Sequence, residues 1–320
     1  MRGSGRRGLR AALGAAVPAV VPALLLPGLV AGCGLPAALA GPAVRASAPL
    51  GEECPDAPPG MRRVALVAPD GVRLASAVQE ADRATVSVVV VPGTAETVCE
   101  WLPRVNAAVE GLPARVVVLG RRGTGASEGT LDPARDPADV VTAARWAAGP
   151  ERRPVVLVGA DDGALAALVA AAPEGPRSGV EPVSPSAPRL APAPCGLFAL
   201  SPRTEDVSPA GTVSALVQTP VPGTLWVTWE TTDPASDRAA GQVLARARRT
   251  PDVFVRELPL ETGEHGGRLL DSDPVVRALL RTAVRECLDA RRPASTRRVE
   301  AGERTRPRPS DGASPSFSSG

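Results

Sequence analysis

The chain has 320 residues, 44% of them hydrophobic and 22% charged, with a formal net charge of +2. That length accommodates one large domain with its own core once both ends are set aside. The near-neutral balance, with no basic stripe interleaved with aromatics, argues against a nucleic-acid partner.

Arg2, Arg6, Arg7 and Arg10 precede an apolar run from Ala11 to Ala31, the charged-then-apolar order of a secretory signal. Pro18, Pro22 and Pro27 in that run oppose a stable spanning helix. The run ends in Val30-Ala31-Gly32-Cys33, which resembles the lipobox of bacterial lipoproteins. Residues 1–32 are therefore expected to be a lipoprotein signal peptide, with Cys33 lipidated and anchoring the chain to the outer face of the cytoplasmic membrane. The alternatives are an uncleaved anchor and cleavage after Ala40, which would leave a secreted chain. All three export the domain. Residues 33–60 read as a linker. Four further cysteines, Cys54, Cys99, Cys195 and Cys287, are an even set for an oxidising compartment and predict two disulfides, with three pairings open. With one histidine and no close ligand spacing, a metal site is a poor reading.

Residues 61–290 alternate strands and helices. Arg62 to Ala68 and Val72 to Gln79 flank Pro69-Asp70-Gly71 and predict a hairpin. Val86 to Val91 reads as a strand buried on both faces. A helix over Thr97 to Glu110, a strand over Arg115 to Leu119 and a helix over Pro137 to Ala147 follow. Next come a strand over Pro154 to Val158 and a helix over Asp162 to Ala172. Later strands are expected at Cys195 to Leu200, Thr224 to Trp229 and Val253 to Leu258. Helices are expected near Val207 to Val217, Ala235 to Arg248 and Ser272 to Ala290. The rhythm predicts a three-layer α/β fold with a mostly parallel sheet. Residues 173–194 read as a Pro-rich surface loop, and residues 291–320, rich in Arg, Pro, Ser and Gly, as a disordered tail.

In this order the motifs resemble the α/β-hydrolase superfamily over roughly Arg62 to Ala290. "VAPDGVRLASAV" is similar to its opening hairpin, and "VVVVPGTAETVCEWLP" to its third strand and oxyanion loop. "VVVLGRRGTGASEG" is similar to its Arg-Gly-x-Gly-x-Ser turn, "VVLVGADDGALAAL" to its nucleophile elbow, and "ETGEHGG" to its histidine loop. The resemblance implies about eight strands, and no insertion after the sixth is long enough for a cap domain. Of the three cysteine pairings it favours Cys54 with Cys99 and Cys195 with Cys287.

Position by position, the resemblance implies Asp161 as nucleophile, His265 as base, Asp233 as acid with Glu230 as the alternative, and the backbone N–H groups of Thr94 and Asp162 as oxyanion donors. Aspartate where serine is usual disfavours acyl chemistry, because carboxylate attack on an ester gives an anhydride. Asp161 resembles instead the nucleophiles of haloalkane dehalogenases and epoxide hydrolases. Yet the chain has no tyrosine, and Asp162 stands where many dehalogenases carry a tryptophan. Two readings result: an inert or binding site, in which Asp161 ion-pairs with His265 or caps the following helix, and an active hydrolase using Asp161 on an alkyl or ester substrate. No cofactor is implied, since no dinucleotide fingerprint or P-loop is present. The expected partners are the membrane, through Cys33, and an unidentified small molecule or envelope component.

Overall fold

A computed structural model describes residues 50–52, 54–171, 190–203, 223–250 and 253–290. The leader with Cys33, most of the linker and of the 173–194 loop, the helix expected at 207–217 and the tail lie outside the described residues.

Eight strands form one sheet: β1 (Arg62–Val67), β2 (Arg73–Gln79), β3 (Val86–Val91), β4 (Ala114–Val118), β5 (Val155–Ala160), β6 (Gly196–Leu200), β7 (Gly223–Glu230) and β8 (Val253–Leu260). Their order is β1-β2-β4-β3-β5-β6-β7-β8. The β1–β2 hairpin is antiparallel, β2 is antiparallel to β4, and every other pairing is parallel. The central β3 and β5 are buried along their whole length, as their unbroken apolar runs require.

Helices cover both faces. On one side α1 (Val98–Val109) and α6 (Pro274–Ala290) pack Trp101, Val105, Leu280 and Val284 against Val88, Val158 and Phe198. On the other, α2 (Asp136–Ala148), α3 (Asp162–Ala171) and α4 (Pro234–Ala247) set Val140, Leu165 and Val243 against Val89, Leu157 and Val227. This is the expected three-layer arrangement, and among the described residues no cap domain overlies the sheet.

Two boundaries differ from the sequence reading in ways that matter. β5 runs two residues further, with Gly159 and Ala160 paired to Ala199 and Leu200, so the strand reaches the elbow itself. The last helix starts at Pro274 rather than Ser272. Helical backbone is disfavoured for a residue before proline, and Asp273 sits at φ −124, ψ 113, its carboxylate accepting the Val275 N–H at 2.6 Å. A separate turn, α5 (Leu269–Ser272), precedes it.

Cys54 is bonded to Cys99 and Cys195 to Cys287, with Cα separations of 5.0 and 5.6 Å. The second closes a 92-residue separation, for which loop-closure entropy gives about 5 kcal/mol of stabilisation. Two such bonds fit an oxidising, exported compartment. Among the described residues no helix is long and apolar enough to cross a membrane.

Candidate functional site

The site lies at the carboxyl edge of the sheet, where β5 turns into α3. Asp161 occupies the turn with a φ of +50, a left-handed conformation that costs a side-chain-bearing residue about 1–2 kcal/mol. Close packing imposes the flanking glycines. A Cβ at Gly159 would lie 2.5 Å from Ala164 Cα, and one at Gly163 would strike the Pro92 carbonyl. The turn is tied to the end of β6: the Asp161 N–H donates to Leu200 O at 2.9 Å, and its carbonyl accepts from Arg203 N at 3.2 Å.

The Asp161 side chain is raised over the strand end as the elbow geometry demands, yet it is largely buried. Its Oδ1 lies 3.3 Å from His265 Nδ1 and 3.9 Å from Arg203 Nε. Its Oδ2 is wedged between two glycines, so that a Cβ on Gly93 would come within 2.8 Å of it and one on Gly266 within 2.6 Å. Burial is the largest influence on this carboxyl and pushes it up to about 6. His265 and Arg203 pull against that rise, while the Glu96 carboxylate adds to it.

His265 follows β8 and precedes the turn at Gly266–Arg268, and its ring makes one polar contact among the described residues, the one with Asp161. Neither candidate acid reaches it. Asp233 caps α4, accepting the Ala235 N–H at 3.1 Å, and binds Arg203 through Nη2 at 2.6 Å. Glu230 is buried at the end of β7. It accepts the N–H groups of Thr232, Thr262 and Gly263 at 3.2, 2.6 and 2.8 Å, and the hydroxyls of Thr232 and Thr262 at 2.9 and 3.0 Å. It is a clamp that fixes the start of the His265 loop. Burial would raise its pKa, but these hydrogen bonds hold it at about 2.

Because the folded value lies below the ordinary 4.5, Glu230 contributes stability above that pH and loses it as pH falls toward 2. Glu230→Gln is expected to cost about 3 kcal/mol at pH 7, with the difference closing in acid. Thermal melts of the two proteins across that range measure it, and a constant difference would rule out the linkage.

Thr94 and Asp162 are brought together, but through a different group from the one the sequence reading assigned. The Thr94 N–H donates to the Asp162 carboxylate, at 2.8 Å from Oδ1, and the Thr94 hydroxyl donates to Oδ2. Arg121 Nη1 also binds Oδ2, at 2.7 Å, while Arg121 Nη2 pairs with Asp136 of α2. This guanidinium is 2% exposed.

Three participants escaped the sequence reading. Glu96 accepts the N–H groups of Gly93 and Gly267 at 2.9 and 2.8 Å and the indole N–H of Trp101 at 2.8 Å, binding the oxyanion loop to the histidine loop. Arg203 bridges Asp161 and Asp233. Arg121 supports Asp162 from below. An acidic residue three positions after Gly93 was the available signal for Glu96; Arg203 and Arg121 needed the tertiary structure.

Sheet order, elbow and histidine loop together define the α/β-hydrolase fold, and solved structures agree. The Pyrococcus furiosus esterase Pf2001 superposes with a TM-score of 0.53 at 13% identity, covering 70% of this chain and 91% of that one. XC6422 from Xanthomonas campestris, described as an a/b serine hydrolase without lid, gives 0.50 at 19% identity, covering 71% and 95%. The mouse alpha/beta hydrolase domain-containing protein 10 gives 0.52 at 16% identity, covering 71% and 98%. No protein-family model and no curated protein sequence matches the chain. The chain is an α/β-hydrolase-fold protein.

Proposed function

We propose that this chain is a cell-envelope lipoprotein, anchored through Cys33, whose α/β-hydrolase site binds a ligand rather than hydrolysing one. The observation that carries this reading is the commitment of the residues that would have to work. A serine-type site needs its histidine to take a proton from the nucleophile while a carboxylate orients the ring from the other side. Here His265 spends its contact on the Asp161 carboxylate, and Asp233 and Glu230 are engaged with Arg203 and with backbone N–H groups. The ligand is a small molecule or an envelope component met at the outer face of the membrane. Disulfides and a leader-like segment that runs into a lipobox-like Val30-Ala31-Gly32-Cys33 support that location.

The elbow geometry favours one second reading. Asp161, strained above the strand end and 3.3 Å from His265, could attack a saturated carbon, expel a halide or alkoxide, and leave an ester for water to cleave.

Both readings are tested by offering esters, haloalkanes and epoxides to the purified chain and to Asp161→Ala side by side. No difference between the two proteins is expected. Turnover that disappears in Asp161→Ala would overturn the binding reading in favour of displacement chemistry.

A further inference from the structure

We infer that Asp162 closes the oxyanion hole from within, so that this carboxylate, besides the one at Asp161 and the acid missing behind His265 among the described residues, holds the site back from acyl hydrolysis. The inference deepens the non-hydrolytic reading above and rests on it.

An oxyanion hole works by holding backbone N–H groups toward the point where negative charge develops on an acyl carbonyl. In this chain the Thr94 N–H already has an anion at 2.8 Å, Asp162 Oδ1, and the neighbouring hydroxyl is turned onto Oδ2. A substrate oxyanion would have to compete with a resident carboxylate for the donor and also sit against its charge. Asp162 cannot readily swing aside. Arg121, 2% exposed, holds Oδ2 at 2.7 Å and is itself pinned by Asp136 of α2. One guanidinium shared by two carboxylates leaves a net negative charge beneath the oxyanion loop, so Arg121 fixes the plug without neutralising it.

The elbow, the histidine and the second backbone donor of an acyl-transfer site stand around the plug, although among the described residues no acid orients the histidine from behind. The elbow presents its central side chain at φ +50, and the His265 ring lies within 3.3 Å of that side chain. The Asp162 N–H opens α3 at the same edge. Removing Asp162 leaves Arg121 paired one-to-one with Asp136, so the buried charge balance improves.

With Asp161→Ser and Asp162→Ala combined, the introduced hydroxyl adds to the carbonyl carbon of an aryl ester and its proton passes to His265. The bond to the aryloxide then breaks, and the aryloxide takes that proton. Water adds to the acyl-enzyme by the same route, releasing the carboxylic acid and restoring the hydroxyl.

The experiment uses the full disulfide-bonded chain with p-nitrophenyl acetate and butyrate, and with diethyl p-nitrophenyl phosphate as a trapping reagent read by mass spectrometry. Asp161→Ser/Asp162→Ala is expected to hydrolyse the esters at least about tenfold faster than Asp161→Ser alone, a conservative fraction of the roughly 10²–10³ that one oxyanion donor contributes. It should be phosphorylated at position 161, and adding His265→Ala should abolish both results. A folded double variant no faster and no better labelled than Asp161→Ser overturns the inference. If alanine at 162 prevents folding, Asp161→Ser/Asp162→Leu, close to aspartate in shape but without an acceptor, replaces it, and the same comparison with Asp161→Ser decides. Failure of the parent reading is distinguishable, because it would appear as Asp161-dependent turnover by the unaltered chain.

Discussion

Arg121→Met is expected to destabilise the fold by about 3–5 kcal/mol at pH 7.5, the cost of stripping a buried cation from partners that stay behind. Those partners are Asp136 and Asp162, each 5% exposed at the side chain and both ordered by this one guanidinium. The penalty should shrink in mild acid. Burial already pushes the Asp136 carboxyl up to about 6. A folded value above the ordinary 3.8 means that the folded state holds its proton longer than the unfolded chain, so stability falls as pH rises through that interval. Without Arg121 that proton is held more strongly, and near pH 5 Asp136 enters the fold neutral. Urea unfolding of both proteins at pH 5 and pH 7.5 reads the effect. Equal destabilisation at the two values would refute the role of Asp136, and Arg121→Met/Asp136→Asn should recover part of the loss.

Asp161→Asn is expected to do the reverse, stabilising the chain by up to about 3 kcal/mol above pH 6. Its carboxyl also stands at about 6 when folded against an ordinary 3.8, a cost of about 1.4 kcal/mol per unit once both states are ionised. The gain should be absent below pH 4, where the acid is protonated in either state, and should grow between pH 4 and pH 6. Asparagine suits the site because it is among the few side-chain-bearing residues that tolerate positive φ. Melting curves across that range provide the check. A variant less stable than the parent at pH 8 would show that the contacts of the Asp161 carboxylate outweigh the burial of its charge.

Most of the scaffold was legible because strand-helix alternation and the motifs from Pro92-Gly93 to Gly159–Gly163 are local signals. The turn at Asp161 could be placed before any coordinate, since a tight strand-to-helix passage dictates its glycines. The acid was not legible in the same way. Asp233 and Glu230 lie three residues apart, just beyond β7 and at its end, and only the fold shows one on a helix cap with Arg203 and the other inside a cage of N–H groups. The plug escaped for a related reason. Sequence places a second negative charge at Asp162, but whether its side chain or its backbone faces Thr94 depends on Arg121, 41 residues away.

The Cys54–Cys99 bond also sets how the domain bears mechanical load. β1 is an edge strand joined to the sheet only through β2, the kind of element that a pull on the preceding chain would peel away. Tension arriving along the residues before Cys54 passes instead through the crosslink into the first turn of α1, bypassing the hairpin. That turn follows directly on the loop of Gly93, Thr94 and Glu96. A tethered copy under shear would therefore carry the strain in a core-packed helix next to its own site, while the hairpin stays slack.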